Sequence, residues 1–173
     1  YPVLGEKIKI GTWATSSKGI YGYRDFVIMD QEGNYLVRAE SVWFFYDTEK
    51  MIPVRVMPED VAAYGEEEAF DLEKAPRKIA VPKEYIEGTP VTIAAHHLDT
   101  NHHVNNAQYV DIAREAVPCT KMVKEIRADY KKAAVLGEVL IPRVTNTGKD
   151  EWTVVLADEA GEARAVVWLR YEE

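Results

Sequence analysis

The sequence predicts an α+β protein made of two related halves. In the second half, an amphipathic helix is followed by four strand patterns, which describes a helix packed on an antiparallel sheet. In addition, the string VLGE occurs at 3–6 and again at 135–138, and an Asp-x-x-Gly turn occurs at 30–33 and at 158–161. Because these motifs recur in the same order in both halves, we infer an internal duplication.

The composition is that of an ordinary globular protein. Of the 173 residues, 47% are hydrophobic and 29% are charged, and the formal net charge is -8. This charge opposes nonspecific binding to nucleic acid. No apolar run approaches the roughly 18 residues needed to span a membrane. The single cysteine, Cys119, excludes an intrachain disulfide and any multi-cysteine metal site.

The first half reads as strands followed by one short helix. Residues 6–14 alternate polar and apolar, which predicts a strand with one solvated face. Segments 23–29 and 35–46 are rich in aromatic and β-branched residues, and turn residues at 30–34 join them into a predicted hairpin. A short helix is predicted at 58–65, with Pro and acids at its start and Gly at its end.

Between the halves lies a predicted linker at 66–89, which is acidic and lacks sustained periodicity. The predicted domains are a partial first repeat at 1–65 and a second repeat at 90–173. The second repeat has a strand, a loop, a helix and another strand at 90–134, and no counterpart precedes Val3. We therefore expect that this chain lacks about 45 residues of the first repeat, including its helix.

The second half begins with a predicted strand at 90–97 that continues into a histidine-rich loop. Asn105 is the predicted N-cap of the following helix, with Gln108 three residues later and Val104 as a hydrophobic staple. Pro118 ends the helix. The apolar stripe predicted to face the sheet consists of Ala107, Val110, Ala113, Ala116 and Val117. The predicted strands that follow are 121–131, 138–145, 152–157 and 163–171.

The histidine-rich loop carries the densest group of chemically capable side chains. All four histidines lie between positions 96 and 103. On an extended backbone, His97, Asp99, Asn101 and His103 would leave from one face of the chain. A carboxylate, a carboxamide and an imidazole would then face one pocket.

Two alternatives to a catalytic loop remain open at this point. Asp99 and Asn101 could form an Asx-turn ahead of the helix, which is their ordinary structural role. A divalent metal held by His97, Asp99 and His103 is conceivable, but ligands spaced two apart on one strand leave the ion short of ligands. For His96, His97 and His102 we expect satisfied, structural roles.

Longer stretches of the sequence resemble a known family, the acyl-ACP thioesterases. The pattern DxNxHVNNxxY at 99–109 is similar to that family's signature. GIYGYRDF at 19–26, the strand around Trp43 and YKK at 130–132 resemble other parts of it. The resemblance implies a tandem hotdog fold, in which each antiparallel sheet wraps a long helix. It also implies release of fatty acid from acyl carrier protein in fatty acid biosynthesis.

The resemblance further implies that Asp99, Asn101 and His103 form the catalytic group. Family positions that hold a glutamate and a cysteine correspond here to Ala133 and Ala134. Since the chain has no Gly-x-Ser-x-Gly elbow, we favour water as the nucleophile over an acyl-enzyme. We expect neither a cofactor nor a metal. The alternatives are an acyl-CoA thioesterase and a non-catalytic hotdog module that binds acyl groups.

Other polar residues are assigned to support of the site or to partner binding. The supporting residues are Asn105, Asn106, Tyr109 and Glu115. A basic cluster is a candidate docking face for acyl carrier protein, although it also fits the solvated face of a strand. Its members are Lys121, Lys124, Arg127, Lys131 and Lys132. We expect a cytoplasmic location, with a plastid location and a homodimer left open.

Overall fold

The computed structural model describes residues 1–73 and 76–172. The chain divides into two compact units, Tyr1–Lys74 and Ala75–Glu173. The predicted linker at 66–89 contains Lys74 and Ala75, which lie outside the described residues. Among the residues that are described, no helix is long and apolar enough to cross a membrane.

The first unit contains a three-stranded antiparallel sheet with the strands in chain order. Its elements are β1 (Lys9–Lys18), β2 (Tyr21–Met29), β3 (Tyr35–Phe44), β4 (Tyr46–Asp47), β5 (Ile52–Pro53) and α1 (Pro58–Val61). The predicted hairpin is confirmed, because β2 pairs with β3 from Tyr21 opposite Phe44 to Met29 opposite Tyr35. The predicted short helix is confirmed at its start, but it ends four residues before Gly65.

The second unit is a larger antiparallel sheet with one long helix. Its elements are β6 (Ile86–Glu87), β7 (Val91–Thr92), a 3₁₀ turn (Ala95–His97), α2 (Asn106–Ala116), β8 (Val123–Tyr130), β9 (Val139–Gly148), β10 (Glu151–Ala157) and β11 (Ala163–Tyr171). The strand order is β6-β9-β10-β11-β8, and β7 also pairs with β9. All four strands predicted after the helix are confirmed.

Helix α2 packs on β9, β10 and β11, and this contact forms the main core of the unit. The helix buries Tyr109, Ile112 and Ala113, with Val117 just beyond its end. The predicted stripe was therefore wrong at Ala107, which is exposed. The large side chains of Tyr109, Ile112 and Val117 gain most from burial, so they set which face of the helix turns toward the sheet.

The internal repeat is visible as identical turn geometry. In the first copy, the Val3 N–H donates to the Glu6 carboxylate at 2.9 Å, and the Glu6 N–H donates to the Val3 carbonyl at 3.0 Å. The same two bonds join Val135 and Glu138 at 3.1 and 3.2 Å. In both turns the intervening glycine has a positive φ, 90° and 80° respectively. Each turn precedes a three-stranded meander, so β1-β2-β3 repeats as β9-β10-β11.

The second shared turn joins the last two strands of each meander. Asp30 accepts a hydrogen bond from the Asn34 N–H at 2.7 Å, and Asp158 accepts one from the Glu162 N–H at 2.7 Å. Both turns end on a glycine with positive φ, 92° and 84°. The predicted duplication thus holds at the level of individual hydrogen bonds.

Parts of the predicted linker pack on the sheets as if they belonged to them. In the first unit, the Phe70 N–H donates to the buried Asp25 carboxylate at 2.7 Å, and the Phe70 ring lies edge-on to Trp13 with centroids 5.0 Å apart. In the second unit, Ile79 packs on Val155 and Val166, on the sheet face opposite α2. Each sheet therefore has a linker residue packed on it.

Candidate active site

The predicted extended strand does not continue into the histidine-rich loop. Strand β7 stops at Thr92, and a 3₁₀ turn follows at Ala95–His97. The chain then closes a tight loop, in which the Asp99 N–H donates to the His103 carbonyl at 2.8 Å. The prediction that alternate residues share one face of an extended chain was therefore wrong. The backbone turns instead, with His102 in the left-handed region at φ 61°.

Asp99 organises this loop through one of its carboxylate oxygens. Its Oδ1 accepts the N–H of Asn101 at 2.8 Å and the N–H of His103 at 3.3 Å. This is the Asx-turn that the sequence left open as an alternative. Its Oδ2 makes no hydrogen bond to any residue in the described parts of the chain, so one oxygen stays available. Asp99 is half-buried.

The other two members of the predicted group lie on the same loop with exposed side chains. Neither Asn101 nor His103 donates or accepts a side-chain hydrogen bond within residues 1–73 and 76–172. The loop ends at the isolated bridge between Leu98 and Val104. A carboxylate, a carboxamide and an imidazole are thus presented by one short, backbone-braced turn.

Helix α2 begins immediately after the loop. The predicted N-cap is confirmed, because the Asn105 Oδ1 accepts the Ala107 N–H at 2.9 Å. The Asn106 N–H donates to no described residue, and the first turn carries no acid. A free N–H at the positive end of an 11-residue helix is a suitable donor for a developing oxyanion.

His97 has a structural role at the base of the loop. Its Nδ1 accepts the Ala94 N–H at 2.9 Å, and its carbonyl accepts the Asn105 N–H at 2.9 Å. Desolvation, with a smaller contribution from His96, lowers the pKa of His97 and favours the neutral imidazole. Within the described parts of the chain, no group of three His, Cys, Asp or Glu residues is arranged to hold a metal ion.

Tyr109 and Ala134 connect the helix to the segment after β8. The Tyr109 hydroxyl accepts the Ala134 N–H at 2.7 Å, and the Ala134 carbonyl accepts the Val104 N–H at 3.0 Å. Ala134 is fully buried, whereas its neighbour Ala133 is exposed. The sequence did not reveal the bonds of Ala134, because nothing local marks a backbone contact across 30 residues.

The remaining predicted supporting residues divide into near and distant ones. Asn106 is near, because its carbonyl accepts the Tyr130 hydroxyl at 3.1 Å at the helix start. Glu115 is distant: it lies in the last turn of α2 with its side chain 80% exposed, and its carboxylate is 4.0 Å from Arg114. The structure therefore does not bring Glu115 to the loop.

Sequence models of two domains of one family match the chain. The acyl-ACP thioesterase N-terminal domain matches residues 1–64, and the acyl-ACP thioesterase C-terminal domain matches residues 82–165. The chain belongs to the acyl-ACP thioesterase family. The Asp99–His103 loop lies within the match to that family's C-terminal domain.

Individual proteins agree with this membership. Dodecanoyl-[acyl-carrier-protein] hydrolase, chloroplastic, from Cinnamomum camphora is 28% identical over 160 residues, which are 86% of this chain and 42% of that protein. Palmitoyl-acyl carrier protein thioesterase, chloroplastic, from Arabidopsis thaliana is 28% identical over 167 residues, 87% of this chain and 39% of that protein. The chain thus spans 42% and 39% of the length of these curated relatives.

A solved structure shows the same fold. The crystal structure of an acyl-ACP thioesterase from Bacteroides thetaiotaomicron aligns with a TM-score of 0.84 and 20% identity, over 96% of this chain and 69% of that chain. The α+β tandem hotdog architecture expected from the sequence is confirmed by this likeness.

The basic cluster predicted as a docking face lies in the second unit. Most of the predicted cluster is paired with acids of the same unit. Lys121 contacts Asp150 at 2.7 Å, and Lys132 contacts Glu162 at 2.9 Å. Lys131 pairs with Asp129, and Arg127 donates to the Pro76 carbonyl. Lys124 differs, since it is exposed and makes no ion pair with any described residue.

Proposed function

We propose that this chain forms the catalytic part of a thioesterase that hydrolyses acyl-acyl carrier protein and releases a free fatty acid in fatty acid biosynthesis. The observation that supports this most directly is the Asp99–His103 loop set against the start of α2. It places a carboxylate and an imidazole on one turn, just before a helix N–H that has no partner among the described residues. Membership of the acyl-ACP thioesterase family supports the choice of substrate class.

In the proposed mechanism, water attacks the thioester carbonyl carbon and the carbon–sulfur bond breaks. The free Oδ2 of Asp99 orients the water and takes its proton, while Oδ1 stays bound to the loop backbone. The Asn106 N–H and the helix dipole stabilise the negative charge on the carbonyl oxygen. His103 donates a proton to the departing thiolate, and Asn101 orients the imidazole or the water.

The proposed partner is acyl carrier protein, which presents the acyl group as a phosphopantetheine thioester. Relatives described as chloroplastic hydrolyse acyl carrier protein substrates according to their names. For this chain, a cytoplasmic location and a homodimer stay predictions.

Two other functions remain as outcomes of the test. Acyl-CoA hydrolysis would use the same loop with another carrier. A non-catalytic acyl-binding module is favoured by one observation, namely that Ala133 stands where the resemblance implies a glutamate, and its short exposed side chain supplies no base.

The experiment measures hydrolysis of acyl-acyl carrier protein and of acyl-CoA by the full-length protein. We expect Asp99→Ala and His103→Ala each to lower kcat by about 100-fold or more. Asp99→Asn keeps an oxygen for the Asx-turn and removes the charge, so it should lose similar activity while the loop stays folded.

The control is His102→Asn, in which the new side chain tolerates the left-handed backbone. It should retain activity. Preference for acyl-CoA would favour the second function. Binding of acyl carrier protein without turnover would favour the third, and full activity in both alanine variants would exclude the proposed mechanism.

A further inference from the structure

We propose that Tyr109 is a positioning residue that holds the Asp99–His103 loop in place through the backbone of Ala134. This inference rests on the proposed function for its catalytic consequence, but its structural part can be tested alone. The chain of contacts runs from the Tyr109 hydroxyl to Ala134, and from Ala134 to Val104.

The three residues Tyr109, Ala134 and Val104, joined by these two hydrogen bonds, are here called the clamp, and all three are buried. Tyr109 is 3% exposed, Val104 is 3% exposed and Ala134 is not exposed at all. Ala134 uses both of its backbone groups, its N–H toward the phenol at 2.7 Å and its carbonyl toward the Val104 N–H at 3.0 Å. Because Ala134 has no solvent-exposed surface, removal of the phenol oxygen takes the partner of its N–H away from a buried donor, which is costly.

The clamp meets the loop at its closing residue. Val104 forms the isolated bridge with Leu98, and these two residues bracket the turn in which Asp99 bonds the His103 carbonyl. A shift of Val104 therefore moves the His103 end of the turn relative to the Asp99 end. The Asx-turn fixes the inside of the loop, and the clamp fixes the loop against helix α2.

The phenol suits this position chemically. A phenol is neutral at physiological pH, and burial raises the pKa of Tyr109 further above its ordinary value of 10.0, so the hydroxyl accepts the Ala134 N–H without a buried charge. The Tyr109 and Tyr130 rings also pack together with their centroids 5.8 Å apart, and the Tyr130 hydroxyl donates to the Asn106 carbonyl. Two tyrosines thus tie the start of α2 to the residues around β8.

The test compares Tyr109→Phe with Tyr171→Phe in the 173-residue chain. Tyr171 is a matched control, because it lies in the same core at 2% exposure and its buried hydroxyl has no hydrogen-bond partner among the described residues. Amide hydrogen exchange by NMR is measured for Val104 and Ala134. In Tyr109→Phe we expect exchange of both amides to accelerate about tenfold or more relative to the β10 amides. Tyr171→Phe should leave them unchanged.

The second readout is turnover of acyl-acyl carrier protein by the full-length protein. Tyr109→Phe should lower kcat about tenfold with KM within about twofold, because a displaced loop impairs chemistry more than binding. A variant that only loses stability would show a lower Tm with unchanged kcat, and unchanged exchange at Val104 would likewise overturn the clamp. If the unmodified protein hydrolyses no thioester, the proposed function fails, and the exchange rates still decide the clamp.

Discussion

Asp99 divides its carboxylate between structure and chemistry. One oxygen accepts two backbone N–H groups, at 2.8 and 3.3 Å, and the other has no partner in the described residues. A structural Asx-turn and a catalytic carboxylate are therefore compatible in one side chain. If Asp99 and the Asn106 N–H act as the proposed base and oxyanion donor, catalysis does not require a glutamate at the position of Ala133.

At the residue scale, His97 predicts a pH dependence of stability. Its pKa is lowered in the folded chain from the ordinary value of 6.5, chiefly by desolvation, so the unfolded chain binds its proton more readily. The free energy of unfolding should therefore fall as the pH drops below about 6.5 and through the folded pKa.

The measurement is urea unfolding of the chain and of His97→Gln at several pH values between about 7.5 and 5. The variant should show a shallower loss of stability on acidification. His102→Asn is the control, because that residue is exposed and does not contribute to the lowered pKa of His97. Equal pH slopes in the chain and in His97→Gln would contradict the prediction.

At the element scale, α2 packs in the core, and its first residue directly follows the candidate active-site loop and its N-cap. Its N-cap and its end before Pro118 follow from local chemistry, so they could be predicted from the sequence, whereas the predicted stripe missed Tyr109 and Ile112 of its buried face. The segment before it could not. A strand was predicted through 97, but the backbone bonds of the 3₁₀ turn and the His97 side-chain bond to Ala94 compete with pairing there.

The cap of α2 gives a stability prediction. Asn105→Ala removes the bond to the Ala107 N–H and should lower the free energy of unfolding by about 1 kcal/mol. Asn105→Asp should retain it, since aspartate also caps. Urea unfolding measures both. Asn106→Ala is the matched control, because that exposed side chain has no bond to the described residues, and an equal loss there would argue against a capping effect.

At the scale of the whole molecule, charge sets the terms for a carrier partner. The chain carries a net charge of -8, so an acidic carrier would be repelled unless a local basic surface meets it. Ion pairs within the second unit engage Lys121, Lys131 and Lys132, and Arg127 donates to a backbone carbonyl. Lys124 is exposed and makes no ion pair with a described residue.

Substitution of Lys124 therefore tests the docking prediction. Lys124→Glu should lower kcat/KM for acyl-acyl carrier protein several-fold and leave kcat/KM for acyl-CoA nearly unchanged, because only the carrier protein reaches a distant surface charge. Steady-state assays on both substrates at low salt measure this. Lys83→Glu, at an exposed lysine outside the predicted cluster, serves as a control for the added negative charge, and equal losses on both substrates would exclude a docking role.

The sequence by itself determined the repeat, the strands, the turns and the identity of the loop residues. Each of these depends on signals within a few positions: alternation for strands, an Asp and a Gly for the shared turns, and Asn105 for the helix start. Only the tertiary structure decided how the loop is held. The Tyr109–Ala134 and Ala134–Val104 bonds join residues 25 and 30 positions apart, and such bonds exist only once the helix has packed on the sheet.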